Sequence, residues 1–201
     1  TAWTSLELGR AVDDAPDAFC YLRESEVSSH NAGRPRGEIV PIKNFERWLH
    51  QRDGEGCTTT PTVKAAQHEM MWMVPAGHKF DYIARRTDLA TGNDRIALTL
   101  DDRFLGPNDG RCRVAVKITY HDLGNGAWSL VYWNSPSTTM KKTIPCNDTG
   151  RVRTATFFLD NTYFQPYTTP DFVIQAEGDD AVVSFIRVIR LDRGMPQAST
   201  P

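Results

Sequence analysis

The order of apolar and polar residues predicts a chain made of short strands. From residue 63 onward, short apolar stretches are separated by Gly, Pro, Asn and Asp. In the clearest stretch, Val114, Val116, Ile118 and Tyr120 alternate with small or polar residues, the period of a half-buried strand. The Asn-Gly pair in the segment Leu123-Gly124-Asn125-Gly126 predicts a type I′ hairpin turn. We predict strands at residues 70–74, 80–85, 96–100, 114–121, 128–133, 140–144, 154–159, 172–176 and 182–191.

This succession of strands indicates the fold class. No long amphipathic helix interrupts it, and no strand–helix–strand rhythm occurs. Such a pattern is typical of an all-β, antiparallel β-sandwich, and we expect a jelly-roll-like arrangement.

The N-terminal segment has a different character. Residues 1–62 are rich in polar, Gly and Pro residues, and we expect them to be irregular. Phe45, Trp48 and Leu49 recur at i, i+3 and i+4, which predicts one short helix over residues 44–51 that docks on the sandwich. The predicted organisation is therefore a docked segment at 1–62, a sandwich domain at 63–195 and a tail at 196–201.

The cysteine pattern favours an oxidising compartment. Cys20, Cys57, Cys112 and Cys146 form no C-x-x-C pair, and their even number at wide spacing suits two disulfides in a secreted protein. Three pairings exist, of which we favour Cys20 with Cys57 and Cys112 with Cys146; buried thiols are the alternative. The triplet beginning at Asn147 is an N-glycosylation sequon.

Composition and charge exclude several partners. With 40% hydrophobic and 10% aromatic residues, the chain can build a full core. A net charge of −2 and the absence of basic runs argue against nucleic acid and anionic membranes. No apolar stretch is long enough for a membrane-spanning helix.

Several core and turn segments resemble a known class of domain. They include Val116-Lys117-Ile118-Thr119-Tyr120 and Gly124-Asn125-Gly126-Ala127-Trp128-Ser129-Leu130, and also residues 81–88, 154–160, 171–174 and 183–188. These segments are similar to the carbohydrate-binding-module-like β-sandwich domains appended to bacterial polysaccharide-degrading enzymes. The resemblance implies an extracellular glycan-binding role, an attached catalytic domain, and a structural calcium, for which Asp179 and Asp180 are the candidate ligands.

Aromatic residues are the candidate ligand contacts, because aromatic rings stack on the apolar faces of sugars. Tyr163, Phe164 and Tyr167 lie close together in the turn-rich loop 161–170, and Trp133 provides a second platform. No basic cluster adjoins this loop, so we expect a neutral polysaccharide as the ligand.

Two other functions stay open. A polysaccharide-degrading enzyme would need an assembled acid–base pair, for example His121 or Tyr120 as the base of a lyase beside Lys117, but no metal motif or nucleophile elbow occurs. A structural or adhesive subunit would associate with other copies of itself. We expect a non-catalytic glycan-binding module that needs no cofactor for activity.

Overall fold

The structure of the protein is a computed structural model that describes residues 17–22, 42–45, 47–52, 57, 62–64 and 83–191. Two single-turn 3₁₀ helices, Leu89–Thr91 and Pro107–Asp109, are the helical elements of these residues. The described strands are β1 (Asp17–Tyr21), β2 (Ile42–Phe45), β3 (Leu49–Arg52), β4 (Thr62–Lys64), β5 (Ile83–Arg86), β6 (Arg95–Leu100), β7 (Arg111–Asp122), β8 (Ala127–Ser135), β9 (Thr138–Pro145), β10 (Arg151–Tyr163), β11 (Phe172–Glu177) and β12 (Val182–Arg190).

The strands form two facing antiparallel sheets. Sheet I has the order β2-β3-β6-β11-β8-β9, and sheet II contains β10-β7-β12, followed by β1 along one half of β12 and β5-β4 along the other. The sheets meet on one side at the single pair Tyr163 and Trp133. On the other side, a parallel bridge joins Phe19 to Trp48. The all-β, antiparallel sandwich is thereby confirmed.

Aromatic side chains fill the space between the sheets. Trp128 on β8 is almost fully buried. Its ring contacts Tyr120 of β7 at 5.1 Å and Phe157 of β10 at 5.9 Å, both edge-on. Such pairs contribute about 0.5–1.5 kcal/mol each beyond the area that they bury. The alternating apolar residues of β7 and β8 thus build the core that holds the sheets together.

Most of the predicted strands are confirmed. Strands β5 to β12 each overlap a stretch predicted from the apolar pattern. The predicted strand at 70–74 lies outside the described residues.

The turn between β7 and β8 is confirmed, but its chemistry differs from the prediction. Gly124, with φ 72°, takes the left-handed conformation rather than Asn125. Asp179 accepts the backbone N–H groups of Asn125 and Gly126 at 2.7 and 2.9 Å. A Cβ at Gly126 would lie 2.5 Å from the backbone atoms Asp179 N and Glu177 O. The glycines therefore permit the β11–β12 connection to approach the turn closely.

The predicted helix at 44–51 is wrong. These residues form the end of β2 and most of β3, and β3 pairs with β6 from Leu49 opposite Leu100 to Arg52 opposite Ala97. Trp48 between the two strands has φ 55°, which the interior of a helix does not allow. An eight-residue helix is marginal on its own, whereas the edge of β6 offers a hydrogen-bond ladder. The described part of the N-terminal segment is accordingly built of strands rather than irregular.

The expected disulfide between Cys112 and Cys146 is incompatible with the fold. Cys112 pairs with Thr162 near the start of β7. Cys146 lies near the other end of that strand, where the neighbouring Asn147 N–H binds Asp122. The strand between Cys112 and Asp122 measures about 33 Å at about 3.3 Å per residue. Disulfides require Cα atoms closer than about 7 Å. No disulfide joins the described cysteines, Cys20 and Cys57 included.

Candidate functional site

Phe164, predicted to stack on a sugar, is instead a core residue. It has no exposed surface, and its ring packs edge-on against Phe172 at 6.0 Å. The density of aromatic residues in the loop 161–170 therefore reflects packing at this position. The assignment of Phe164 as a ligand contact is corrected.

The other three predicted contacts are half-buried and held by the protein itself. The indole Nε1–H of Trp133 donates to the Pro170 carbonyl at 2.8 Å. Tyr163 is its neighbour across the junction of the two sheets. The Tyr167 ring packs edge-on against His50 at 5.4 Å. The loop and Trp133 thus share one end of the sandwich without forming an open aromatic platform.

A buried carboxylate fixes this loop. Asp171 accepts the backbone N–H of Gln165 and that of Leu100, both at 2.7 Å, and is almost fully buried. The Gln165 side chain donates in turn to the Pro136 carbonyl at 3.1 Å. Because three chain segments meet at these bonds, the loop is a structural closure of the sandwich.

The acids considered for calcium bind protein donors. Asp179 holds the β7–β8 turn. Asp180 accepts the Thr87 hydroxyl at 3.0 Å and the Leu89 N–H at 2.9 Å. Among the described residues, no group of three or more His, Cys, Asp or Glu side chains could hold a metal ion.

The sequon lies in a loop organised by another buried acid. Asp122 accepts the Asn147 N–H at 2.7 Å and the Thr149 hydroxyl at 2.6 Å, and pairs with Arg153 at 3.1 Å. The hydrogen bond from Thr149, followed by that from Asn147, holds the pKa of Asp122 below its usual range. Asn147 itself is exposed, as a glycosylation acceptor must be.

The residues considered for lyase chemistry do not come together. Tyr120 and His121 are both buried. Tyr120 points into the core, where it contacts Trp128, whereas Lys117 lies on the opposite face of β7. These three side chains therefore do not form an acid–base site.

The most prominent exposed surface is the face of sheet II that points away from the core. Side chains alternate between the faces of a strand, so the register fixes which residues share this outer face. Four adjacent strands, β1, β12, β7 and β10, contribute to it in three rows. In that strand order, the first row is Tyr21, Phe185, Thr119 and Thr154; the second is Phe19, Arg187, Lys117 and Thr156; the third is Asp17, Ile189, Ala115 and Phe158.

Three aromatic rings cluster at one corner of the outer face. The Tyr21 ring lies 4.7 Å from that of Phe185, and the Phe19 ring lies 6.2 Å from Tyr21 and 6.1 Å from Phe185. Tyr21 is 43% exposed. At the diagonally opposite corner, Phe158 is 65% exposed. Both corners offer aromatic surface to solvent.

Polar groups fill the area between these corners. Thr154 and Thr156 are exposed, and the Thr154 hydroxyl lies 3.1 Å from that of Thr119. Arg187 and Lys117 are cross-strand neighbours in the middle row. The outer face therefore combines aromatic rings, hydroxyl groups and cations on one surface.

Sequence reasoning missed this surface for a physical reason. Phe19 and Tyr21 lie in the segment expected to be irregular, and their partner Phe185 is near the other end of the chain. Only the register of β1 against β12 brings them together. The exposed positions of β7 and β10, in contrast, follow from their alternation.

Comparisons with known proteins identify no family. No family model matches the chain, and no curated protein matches it. One solved structure with some similarity is that of Eiger TNF from S. frugiperda. It has 14% sequence identity to this chain and a TM-score of 0.27, and the alignment covers 93% of this chain and 100% of the Eiger chain. Among the described residues, no helix is long and apolar enough to cross a membrane.

Proposed function

We propose that this protein is a non-catalytic, extracellular glycan-binding module that holds its ligand on the outer face of sheet II. The observation that carries the proposal is the cluster of Tyr21, Phe19 and Phe185 on the outer face of sheet II, with the Thr119 hydroxyl on the strand next to Phe185. Aromatic rings stack on the apolar faces of sugars, while hydroxyl groups bond to sugar hydroxyls. This surface has both kinds of group.

The proposal changes the binding residues expected from the sequence. The loop 161–170 is bound to its own surroundings, so stacking there would disrupt existing contacts. The rings of Tyr21 and Phe158 already face solvent. Because an open sheet face buries little ligand area, the dissociation constant should be on the order of micromolar to millimolar.

A structural or adhesive subunit is the second candidate. The exposed Phe158 favours it, because large apolar groups at a surface often mark contacts between proteins. In this function the outer face would pack against another copy of the chain. Sedimentation at several concentrations would then show a dimer or larger assembly, whereas a binding module stays a monomer.

The test of the proposal is a polysaccharide screen with a matched pair of variants. Wild-type protein is run through gels containing individual polysaccharides, and any polymer that slows its migration is kept. Tyr21→Ala should weaken binding to that polymer about tenfold, because one stacking ring is lost. The control is Met140→Ala, which removes a side chain of similar exposure, 45%, from β9 of the other sheet.

Met140→Ala should keep the melting temperature of the wild type, because its side chain is exposed. Tyr21→Ala should lower the melting temperature by a few degrees, because the Tyr21 ring packs on Phe185 and Phe19, so binding is compared at a temperature where both variants are folded. A screen without any retarding polysaccharide would refute the glycan-binding proposal. Equal binding by Tyr21→Ala and the wild type would remove the outer face as its site.

A further inference from the structure

We infer that the outer face is built for an acidic polysaccharide, whose carboxylates bind Lys117 and Arg187 while its sugar rings stack beside them. This inference rests on the proposed glycan-binding function and specifies the class of ligand. It also differs from the neutral polymer expected when the loop 161–170 was the candidate site.

The charges around the middle row carry the inference. Asp17 is almost fully buried and interacts with two arginines: Arg187 through a short charge-assisted bond, and Arg47 at 3.5 Å. Within the three rows, the carboxylate of Asp17 balances the charge of Arg187. Lys117, on the next strand, adds a further cation, and the other residues of the three rows are uncharged. The described outer face is therefore positive, although the whole chain carries −2.

The positions of the cations suit a sugar acid. Arg187 lies two residues from Phe185 on β12 and directly opposite Phe19 on β1. Cross-strand neighbours have Cβ atoms about 4.5–5.5 Å apart. A ring stacked on this corner would therefore place its carboxylate within reach of the Arg187 side chain, which is 42% exposed.

The size of the outer face fits an oligosaccharide rather than a single sugar. Tyr21 and Phe19 of the aromatic corner lie on β1 and Phe158 lies on β10, with β12 and β7 between these strands. Three spacings between neighbouring strands amount to about 14 Å. A single sugar cannot contact both corners, so the surface fits a polysaccharide chain that crosses the strands over Lys117.

The experiment compares polygalacturonate with a fully methyl-esterified form of the same polymer. Lys117→Gln removes the charge but keeps most of the side-chain length, and should weaken polygalacturonate binding about three- to tenfold. Binding to the ester should be weak and equal in the two proteins. Lys117→Arg should restore affinity, and added salt should weaken polygalacturonate binding to the wild type by screening the charges.

Each alternative result is distinguishable. Equal affinity of the wild type for both polymers, with no effect of Lys117→Gln, would overturn the acidic-ligand inference and leave glycan binding intact. Absence of binding to both polymers and to every other polysaccharide would overturn the inference and the proposed function. Binding of dextran sulfate that is as tight as that of polygalacturonate and unaffected by Tyr21→Ala would show a general polyanion surface, and would also overturn the inference.

Discussion

Single carboxylates fix the loops at the ends of this sandwich. Asp122, Asp171 and Asp179 each accept hydrogen bonds from residues distant in sequence or from neighbouring loops. Of these three acids, only Asp179 is a calcium candidate from the sequence resemblance. Their donors could not be predicted, because the backbone N–H groups of loops are identified only once strand pairing has brought the loops together.

Asp122 should make stability depend on pH in the acid range. Its folded-state pKa lies below the unfolded value of about 3.8. Its contribution is therefore complete above the unfolded pKa and is lost as the pH falls through the folded pKa. Asp122→Asn should lower the free energy of unfolding at pH 7 by about 1.5–3 kcal/mol, measured by urea unfolding. The difference from the wild type should shrink below about pH 4.

Asp160→Asn is the control for this prediction. Asp160 pairs with Arg113 at 3.2 Å but is exposed, so its removal should cost less than about 1 kcal/mol. A constant difference between Asp122→Asn and the wild type from pH 7 to pH 2 would contradict the assigned role.

At the scale of elements, the alternation of apolar and polar residues predicted strands well where one face of the strand is apolar and the other is polar. β7 and β8 were found because apolar residues recur at every second position next to a Gly-rich turn. The segment 44–51 was predicted wrongly because the spacing of Phe45, Trp48 and Leu49 fits a helix equally well. The spacing of residues within a segment carries no information about the edge of β6, with which β3 pairs. Tertiary pairing decided between the two structures.

The β3–β6 pairing makes Leu49 a core residue, and this can be tested. Leu49 has no exposed surface and belongs to the main core. Leu49→Ala should therefore lower the free energy of unfolding by about 2–5 kcal/mol, measured by urea unfolding.

Met140→Ala, at an exposed position of the same sheet, should change the free energy of unfolding by no more than about 0.5 kcal/mol. A Leu49→Ala variant as stable as the Met140→Ala variant would mean that β3 is a tether and not part of the core.

At the scale of the whole molecule, the length of β7 separates the two ends of the sandwich. Peptide mapping without reduction should yield no peptide that links Cys112 to Cys146, since these cysteines lie near opposite ends. Recovery of the linked peptide would refute the described fold.

The Cys146 thiol should react slowly in the native protein. Burial, and then the nearby Asp122 and Asp179 charges, raise the pKa of this thiol, so its alkylation at pH 7.5 should be much slower in the native than in the denatured protein.

The fold class followed from the sequence, but the candidate binding surface did not. Strand alternation and the turns were enough for an antiparallel sandwich. The outer face joins β1 to β12, whose residues are separated by most of the chain, so no local pattern could indicate that Tyr21 meets Phe185. The loop 161–170 was instead predicted to bind a ligand because its aromatic residues had no evident structural role. That role depends on the hydrogen bond between Asp171 and Leu100, which are too far apart in the sequence for their contact to be predicted.

The most direct test of the binding surface is a chemical-shift titration. Backbone amide spectra of ¹⁵N-labelled protein would be recorded while oligogalacturonate is added. The account predicts that the largest changes follow the outer face, at Tyr21, Lys117, Thr156 and Phe185, with little change at Tyr163 and Tyr167. Changes concentrated in the loop 161–170, with the outer face unaffected, would contradict it.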